Sequence, residues 1–375
     1  MYLMHKNIVV AEVSEDKKHI KNIYNVLHMP IGACDYLNPI PSMLTDKYFT
    51  NWNMRRIIPS LRQDVYNIEK TLNMSVSDAY VKSLGVSLTD CYWYKTKEST
   101  LTWEDVNFHD NGFALDYLEK KLANGISENL NIPDITTNGN VPKLWVPLDG
   151  INSLLKYDFL NDNVSSANEV AASRIADYAG IPHTRYSAIE LDNKIMCSCP
   201  CFITDSNTEM VSMLQLSNAG YYNANKLYEW FQENNLLEDV LHKIRLGVAI
   251  HDTDCHEMQI SYYRDAETLK VLGVVPAYDN GNSFGNYRIY KGKLNPHIKQ
   301  NSEMKLFGKS IEGQLPYIKY MPEKLLDIRK LKEIVEESYD LFEIPNHYLE
   351  IAKSEIDFAN YKYLNAKRER DYDQR

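Results

Sequence analysis

The densest group of proton-carrying and metal-binding side chains in this sequence is His251-Asp252-Thr253-Asp254-Cys255-His256-Glu257. It follows a long apolar helical run and precedes a short apolar stretch. A solvated helix-to-strand loop would account for it, yet loops held by rigid elements also commonly carry catalytic groups. Two chemistries fit these residue types only partly. A binuclear metal hydrolase would read His-x-His-x-Asp-His, but Thr253 and Cys255 stand where a His and an Asp are needed. The His251-Asp252 doublet also occurs in metal phosphohydrolases, whose upstream His and downstream Asp the sequence does not place. A Cys255 nucleophile served by His251 or His256 would ask sequence neighbours to do what distant segments usually do.

Phosphoryl transfer is the third chemistry. It needs an Asp near the accepting hydroxyl, an amide oxygen five residues on to hold a metal ion, and a second metal-binding Asp opening an Asp-x-Gly turn. Asp254, Gln259 and Asp279-Asn280-Gly281 occur in that order. Asn-Gly is also the commonest hairpin turn, so the triplet gains meaning only from its position after the apolar run Val271 to Tyr278. The same chemistry asks for a strand lysine paired with a glutamate on the next helix. Lys156 lies in Leu154-Leu155-Lys156-Tyr157, and Glu169 lies in the helix that follows. Ser166 and Glu169 also spell a Ser-x-x-Glu capping box, which would give Glu169 a purely structural task. A phosphate-covering turn before the lysine strand is met weakly by Thr136-Thr137-Asn138-Gly139-Asn140, with its single glycine.

Together these segments resemble the HipA-like serine/threonine kinases, and within them the CtkA-like proteins of bacteria. The family loop reads roughly Asn-Thr-Asp-Arg-His-x-x-Asn; here it is Asp252-Thr253-Asp254-Cys255-His256-Glu257-Met258-Gln259. Tyr278-Asp279-Asn280-Gly281 is similar to the metal-binding Asp motif, Asn168-Glu169-Val170-Ala171-Ala172-Ser173 to the Asn-Glu helix start, and Leu155-Lys156 to the lysine strand. Ser87-Leu88-Thr89-Asp90-x-Tyr92-Trp93 and Trp103-x-x-Val106-Asn107 look like segments that precede the kinase lobes. The resemblance covers about residues 50 to 290. It implies a two-lobed α+β fold of protein-kinase type with an additional mixed N-terminal region, and transfer of the ATP γ-phosphate to a protein hydroxyl.

The resemblance also implies roles. Asp254 is the catalytic aspartate. Lys156, oriented by Glu169, holds nucleotide phosphates, with Asn138 and Gly139 as further nucleotide contacts. Asp279 and Gln259 hold Mg2+, and the adenine lies between the lobes near the strand ending at Phe202 to Asp205. Three departures bear on activity. Gln259 carries one more methylene than Asn and would shift a metal-bound oxygen by about 1 Å, a displacement that can cost roughly 100-fold in rate. Cys255 replaces a positive Arg, and Asp252 adds negative charge. A pseudokinase, serving as a nucleotide- or protein-binding regulatory module, is therefore the alternative, with a metal hydrolase built on His251 to Glu257 as the second.

The elements that would position these residues can be read from periodicity. Residues 6 to 13 suggest a first strand. Residues 40 to 85 are mainly helical, with Trp52, Ile57, Leu61, Val65, Ile68 and Leu72 at helical spacing and Pro59 as a boundary. An extended aromatic segment covers Gly85 to Tyr94, and a short helix is expected near Leu115 to Ala123. Residues 125 to 142, rich in Asn, Pro, Thr and Gly, suggest a linker. Strands follow at Lys143 to Val146 and Ser153 to Tyr157, turning at Asp149-Gly150. A helix from Ala167 to Ala179 ends at Gly180, where Pro182 forbids continuation. Strands near Arg185 to Leu191 and Lys194 to Ile203 complete a meander. Cys197, Cys199 and Cys201 fall on one strand face, at a spacing shorter than paired zinc ligands use. From Asn225 the chain is mainly helical, interrupted by strands at Ile260 to Arg264 and Val271 to Ala277 and resuming from Glu323. This divides the chain into an N-terminal region, 1–128, a small lobe, 129–208, and a helical lobe, 209–375.

Composition sets the outer bounds. The chain has 375 residues with a net charge of -10, 44% apolar and 25% charged residues. Those proportions exclude a largely disordered chain and a disulfide scaffold. The acidic balance argues against direct nucleic-acid binding, which needs a surplus of Lys and Arg. The tail Lys367-Arg368-Glu369-Arg370-Asp371 reads as a solvated helix end. No stretch approaches the roughly 18 to 20 apolar residues of a membrane span. With few cysteines and no apolar leader, the expectation is a cytoplasmic protein. Its partners would be ATP, a protein substrate, and an antitoxin or other regulatory protein, and the first 125 residues would regulate, dimerise or bind a partner antitoxin.

Overall fold

The computed structural model describes residues 1–34, 40–113, 120, 125–127, 129–191, 193–220, 223–295, 297–299, 304–314, 316 and 325–373. In chain order, β1 (Tyr2–His5), β2 (Ile8–Val13) and β3 (Ile20–Ile23) open the fold. Helices α1 (Met43–Met54), α2 (Val65–Leu72) and α3 (Val76–Lys82) follow, then β4 (Tyr92–Lys95) and the single-turn helices α4 (Trp103–Val106) and α5 (Phe108–Asn111). Next come β5 (Lys143–Leu148), β6 (Ile151–Lys156), α6 (Val164–Ala179), β7 (Ser187–Leu191), β8 (Lys194–Pro200) and β9 (Thr208–Ser212). Helices α7 (Met213–Asn218), α8 (Ala224–Glu233) and α9 (Leu237–Ala249) lead to β10 (Ser261–Asp265) and β11 (Val271–Val274). The chain closes with β12 (Ile289–Tyr290), β13 (Lys293–Leu294), α10 (Ile311–Gln314), α11 (Ile328–Leu341) and α12 (Asn346–Asp373).

These elements form two compact units that are each discontinuous in sequence. The first unit gathers Met1–Leu154, Cys201–Tyr222 and Ser261–Gly273. It holds an antiparallel sheet of order β3-β2-β1-β4 and a second of order β11-β10-β9. Its core contains Trp93, Trp103, Trp145, Leu88, Phe108 and Ile203, all buried. Burying side chains of this size is worth roughly 1.5–3 kcal/mol each.

The second unit gathers Leu155–Pro200, Asn223–Ile260 and Val274–Arg375. It contains the end of β6, followed in the sheet by β8 and then β7. Helix α6 packs against β8 on one side and α11 on the other, and α12 packs on α11, α9 and α10. The packing follows from the sequence. Leu331, Ile334, Val335, Ser338 and Tyr339 are buried at helical spacing on α11, and Ala167, Ala171, Ala172 and Ala176 on α6 allow close approach.

Most expected elements are present, and the differences have local causes. The single strand expected over residues 6 to 13 is the second arm of a hairpin, because Lys6 turns at φ 50° and releases β1 to pair with β2. The Asp149-Gly150 turn holds: both residues have positive φ, 50° and 78°, which suits the twist of a two-residue hairpin. The described residues between 125 and 142 are not a solvated tether. Ile132 and Ile135 are buried, and the Thr136 hydroxyl donates to the Val86 carbonyl at 2.9 Å. Strand β11 ends at Val274, two residues before Pro276, which has no N–H to pair. Cys197, Cys199 and Cys201 are all buried free thiols. The helix expected near Leu115 to Ala123, apart from Lys120, and the start of the last helical region at Glu323 lie outside the described residues.

Candidate active site

Lys156 ends strand β6 with a buried side chain. Its Nζ donates to Glu169 Oε1 at 2.6 Å and to Asp279 Oδ1 at 2.7 Å. Burial alone would push the ammonium toward the neutral form. The Asp279 and Glu169 carboxylates outweigh burial, so its pKa lies well above the ordinary lysine value. The Tyr186 ring lies 5.3 Å below the charge.

Glu169 is available for this contact because α6 starts earlier than its sequence pattern suggests. The helix begins at Val164 with Asn163 as its cap, so the Ser166–Glu169 capping box does not form. Ser166 instead donates to the Lys156 carbonyl at 3.2 Å. Glu169 Oε2 accepts the backbone N–H of Asn280 at 2.8 Å, so one carboxylate binds both the lysine and the Asp279 turn.

That turn is not a hairpin tip. Asp279 adopts φ 59°, and its side chain is 47% exposed. Asn280 is buried, with its Oδ1 accepting from Lys243 Nζ at 2.6 Å; the same ammonium donates to the Tyr278 carbonyl at 2.9 Å. Asn168 Nδ2 donates to the carbonyls of Gly281 and Ser283, and Asn168 Oδ1 accepts from the Tyr339 hydroxyl at 2.8 Å. Gly281 is required by space: a Cβ there would stand 2.4 Å from Ser165 Oγ and 3.4 Å from Glu169 Oε1.

The acidic loop follows α9. Helix α9 closes with the Asp252 N–H donating to the Gly247 carbonyl at 2.8 Å and the His251 N–H to the Val248 carbonyl at 3.3 Å. This is the paired bonding of a left-handed helix cap, with His251 at φ 51° in the position glycine favours. Asp254 reaches solvent, its side chain 54% exposed, with His256 Nε2 3.8 Å from its carboxylate. Partial burial raises its pKa, the His256 charge opposes this, and Asp279 adds to the rise, so the two aspartates repel each other. Asp252 is fully buried, and burial carries its carboxyl up to about 7 against the opposing charge of Lys243.

Gln259 is also buried. Its N–H donates to the His256 carbonyl at 2.9 Å, but its side-chain Oε1 has no hydrogen-bond partner. A buried acceptor left unpaired costs about 1–3 kcal/mol, which a cation or a donor on a ligand would remove. The Tyr278 hydroxyl donates to the Met258 carbonyl at 2.9 Å, tying this loop to the Asp279 turn. Asp279, Gln259 and Asp254 are hard oxygen donors of the kind Mg2+ takes. The orphaned Gln259 oxygen and the mutual repulsion of the two aspartates both fit a cation.

Two other chemistries lose their basis here. Cys255 is fully buried and its thiol is pushed well above the ordinary range, chiefly by burial and then by Asp252, so it is not a nucleophile. His251 does not face the loop's carboxylates; its Nδ1 lies 2.6 Å from Glu355 Oε2 on α12. Among the described residues no group of three or more His, Cys, Asp or Glu side chains could hold a metal ion.

Asn138 and Gly139 belong to the first unit. Asn138 Oδ1 accepts the Gly139 N–H at 2.7 Å, and the Asn138 carbonyl accepts from Lys143 Nζ at 2.8 Å. Gly139 has φ 109°, a backbone conformation that side chains rarely adopt, so glycine suits the turn. Arg62 donates to the carbonyls of Thr137 and Lys143 and holds the turn from below.

Sequence reasoning missed Lys243, Tyr186 and the His251–Glu355 contact. A signal existed for Lys243. It sits among Val240, Ile244, Leu246 and Gly247 on the buried face of α9, where a charge must have partners.

No family model and no curated protein matches the sequence. Among solved structures, it is similar to HipA of Shewanella oneidensis MR-1, determined in a toxin–antitoxin complex with HipB and operator DNA. That match covers 99% of both chains at 10% identity with a TM-score of 0.56. It is also similar to the proinflammatory kinase CtkA of Helicobacter pylori, over 61% of this chain and 94% of that one, at 17% identity and a TM-score of 0.43. The chain therefore has the HipA fold, a mixed α+β kinase-like fold with several small antiparallel sheets. No helix among the described residues is long and apolar enough to cross a membrane.

Proposed function

We propose that this chain, built on the HipA fold, is an ATP- and Mg2+-dependent serine/threonine protein kinase. One observation carries the reading. Lys156 contacts both Glu169 and Asp279, residues far apart in sequence, in the order that phosphoryl transfer requires. Lys156 would hold nucleotide phosphates, with Glu169 fixing its ammonium. Asn138 and Gly139 are proposed as further nucleotide contacts. Asp254 would orient the accepting hydroxyl and hold its proton. Asp279 and Gln259 would hold Mg2+, which supplies charge neutralisation between transferring and leaving groups.

The reading extends to organisation and partners. Residues 1–128 would serve regulation, 129–208 the nucleotide-binding lobe and 209–375 the catalytic lobe. HipA was solved with an antitoxin, which supports a protein partner for this chain too. The net charge of -10 supports contact with protein rather than directly with nucleic acid. Six free, buried cysteines support a reducing, cytoplasmic setting.

A second reading has its own observation. Lys156 already occupies an oxygen of Asp279 at 2.7 Å, and Gln259 stands where a shorter amide is expected. Both favour a pseudokinase that binds nucleotide or protein without transfer. Incubating the purified chain with γ-labelled ATP, with and without Mg2+, while measuring nucleotide affinity by calorimetry, separates the two. Mg2+-dependent labelling of the chain or of a generic protein acceptor supports the kinase. Nucleotide binding without any transfer supports the pseudokinase and contradicts the kinase.

A further inference from the structure

His251 holds a left-handed conformation at the end of α9 that a β-carbon makes costly and that glycine adopts freely. A non-glycine residue there carries a strain that contacts of its side chain can offset. Here the imidazole is buried, and its Nδ1 stands 2.6 Å from Glu355 Oε2. Glu355 lies inside α12 and is fully buried too. Its other oxygen accepts from Arg288 Nη1 at 3.2 Å, and the Tyr287 hydroxyl lies 3.4 Å from both oxygens. The Phe358 and Tyr287 rings enclose the imidazole, with centroids 5.3 Å and 6.2 Å away. Gly285 passes so close to Glu355 that a Cβ would stand 2.7 Å from its Cγ. Burial pushes the Glu355 pKa up, but the His251 and Arg288 contacts outweigh it and hold the carboxylate below its usual range.

The loop that begins at His251 carries Asp254, and its far side is tied by the Lys305 N–H donating to the Cys255 carbonyl at 2.9 Å. We propose that His251 is a positioning residue: by pairing with Glu355 it fixes the start of the 251–259 loop to the C-terminal helix and so sets the place of Asp254. The proposal rests on the kinase reading for its consequence but not for its geometry. Removing the pair frees the loop's first residues while leaving Lys156 and its partners untouched.

The test uses the full-length chain with His251→Gly, Glu355→Gln and the double variant. Glycine accepts the same backbone conformation, so His251→Gly removes the tie without straining the cap. Each single variant is expected to lower kcat by about 10- to 100-fold with KM for ATP within about twofold, because placement of the accepting hydroxyl is lost and nucleotide contact is kept. The double variant should be no worse than either single one, since both remove one interaction. Cys255, buried in the loop, gives a readout that does not need activity. Its alkylation by N-ethylmaleimide, followed by peptide mass spectrometry, should speed up about tenfold in each variant as the loop opens locally, while buried Cys91 in the first unit stays unchanged. Wild-type kcat in His251→Gly, additive losses in the double variant, or equal acceleration at Cys255 and Cys91 would overturn the proposal. If the wild-type chain transfers no phosphate, the kinase reading fails, and unchanged Cys255 labelling would separately sink the tie.

Discussion

Lys156 Nζ lies 2.7 Å from Asp279 Oδ1, joining the end of a strand to a turn that follows it by more than a hundred residues. The bond is one half of a fork whose other arm is the buried Glu169 at 2.6 Å. The two arms differ in environment, and that difference yields separable expectations.

Glu169 is buried with Lys156, so removing the lysine strands a buried carboxylate without its ammonium partner. Lys156→Met should therefore destabilise the fold by about 3–5 kcal/mol and abolish nucleotide-dependent activity together. Urea unfolding beside a transfer assay checks both; a stable, inactive variant would mean the pair contributes little to folding.

Asp279 is half exposed, so its arm is screened by solvent. Asp279→Asn should cost no more than about 1 kcal/mol of stability. It should nevertheless remove the Mg2+ dependence of nucleotide binding. Calorimetry of ATP binding with and without Mg2+ reads this, and an unchanged Mg2+ response would remove Asp279 from the metal site.

Gln259 carries a buried acceptor with no partner. Gln259→Leu deletes that acceptor and should raise metal-free stability by about 1 kcal/mol. It should also shrink the rise in melting temperature that Mg2+ and ATP together produce. A lower metal-free melting temperature with a full ligand response would show that the amide serves the fold instead.

Asp252 gives a pH signature. Its folded carboxyl is raised to about 7, above the ordinary aspartate value, so the folded chain holds a proton that the unfolded chain releases between about pH 4 and 7. Its contribution is greatest at low pH and is lost as pH rises through 7. Asp252→Asn should thus stabilise the chain more at pH 8 than at pH 5, measured by urea unfolding at both. An equal effect at the two pH values would contradict the burial argument.

The Lys156–Glu169–Asp279 contacts of the candidate site were legible because the proposed chemistry asks for residue types in order. Lys156, Glu169 and Asp279 could be named from one strand, one helix and one turn before any geometry was known. What sequence could not supply was the local start of α6, where Asn163 rather than Ser166 stands at the N-cap position and Glu169 lies inside the helix. Helix-cap patterns recur by chance, and only tertiary contact decides between them. Lys243 escaped because a single lysine in an apolar helical stripe looks like an exception, and its partners Tyr278 and Asn280 come from a distant turn. The His251–Glu355 contact escaped for the same reason: Glu355 lies on another helix, with no sequence spacing to connect them. The units themselves interleave segments from across the chain, which a reading in consecutive blocks does not reveal.

The central claim is that Asp254 serves phosphate transfer in a site assembled around Lys156. The most direct measurement compares transfer of the labelled ATP γ-phosphate by the wild-type chain and by Asp254→Ala, each at saturating ATP and Mg2+, with nucleotide affinity measured on the same preparations. The account predicts Mg2+-dependent transfer by the wild type, a loss of at least about 100-fold in Asp254→Ala, and nucleotide affinities within about twofold of each other. Transfer by Asp254→Ala at the wild-type rate, or no transfer by a wild-type chain that binds ATP, would contradict it.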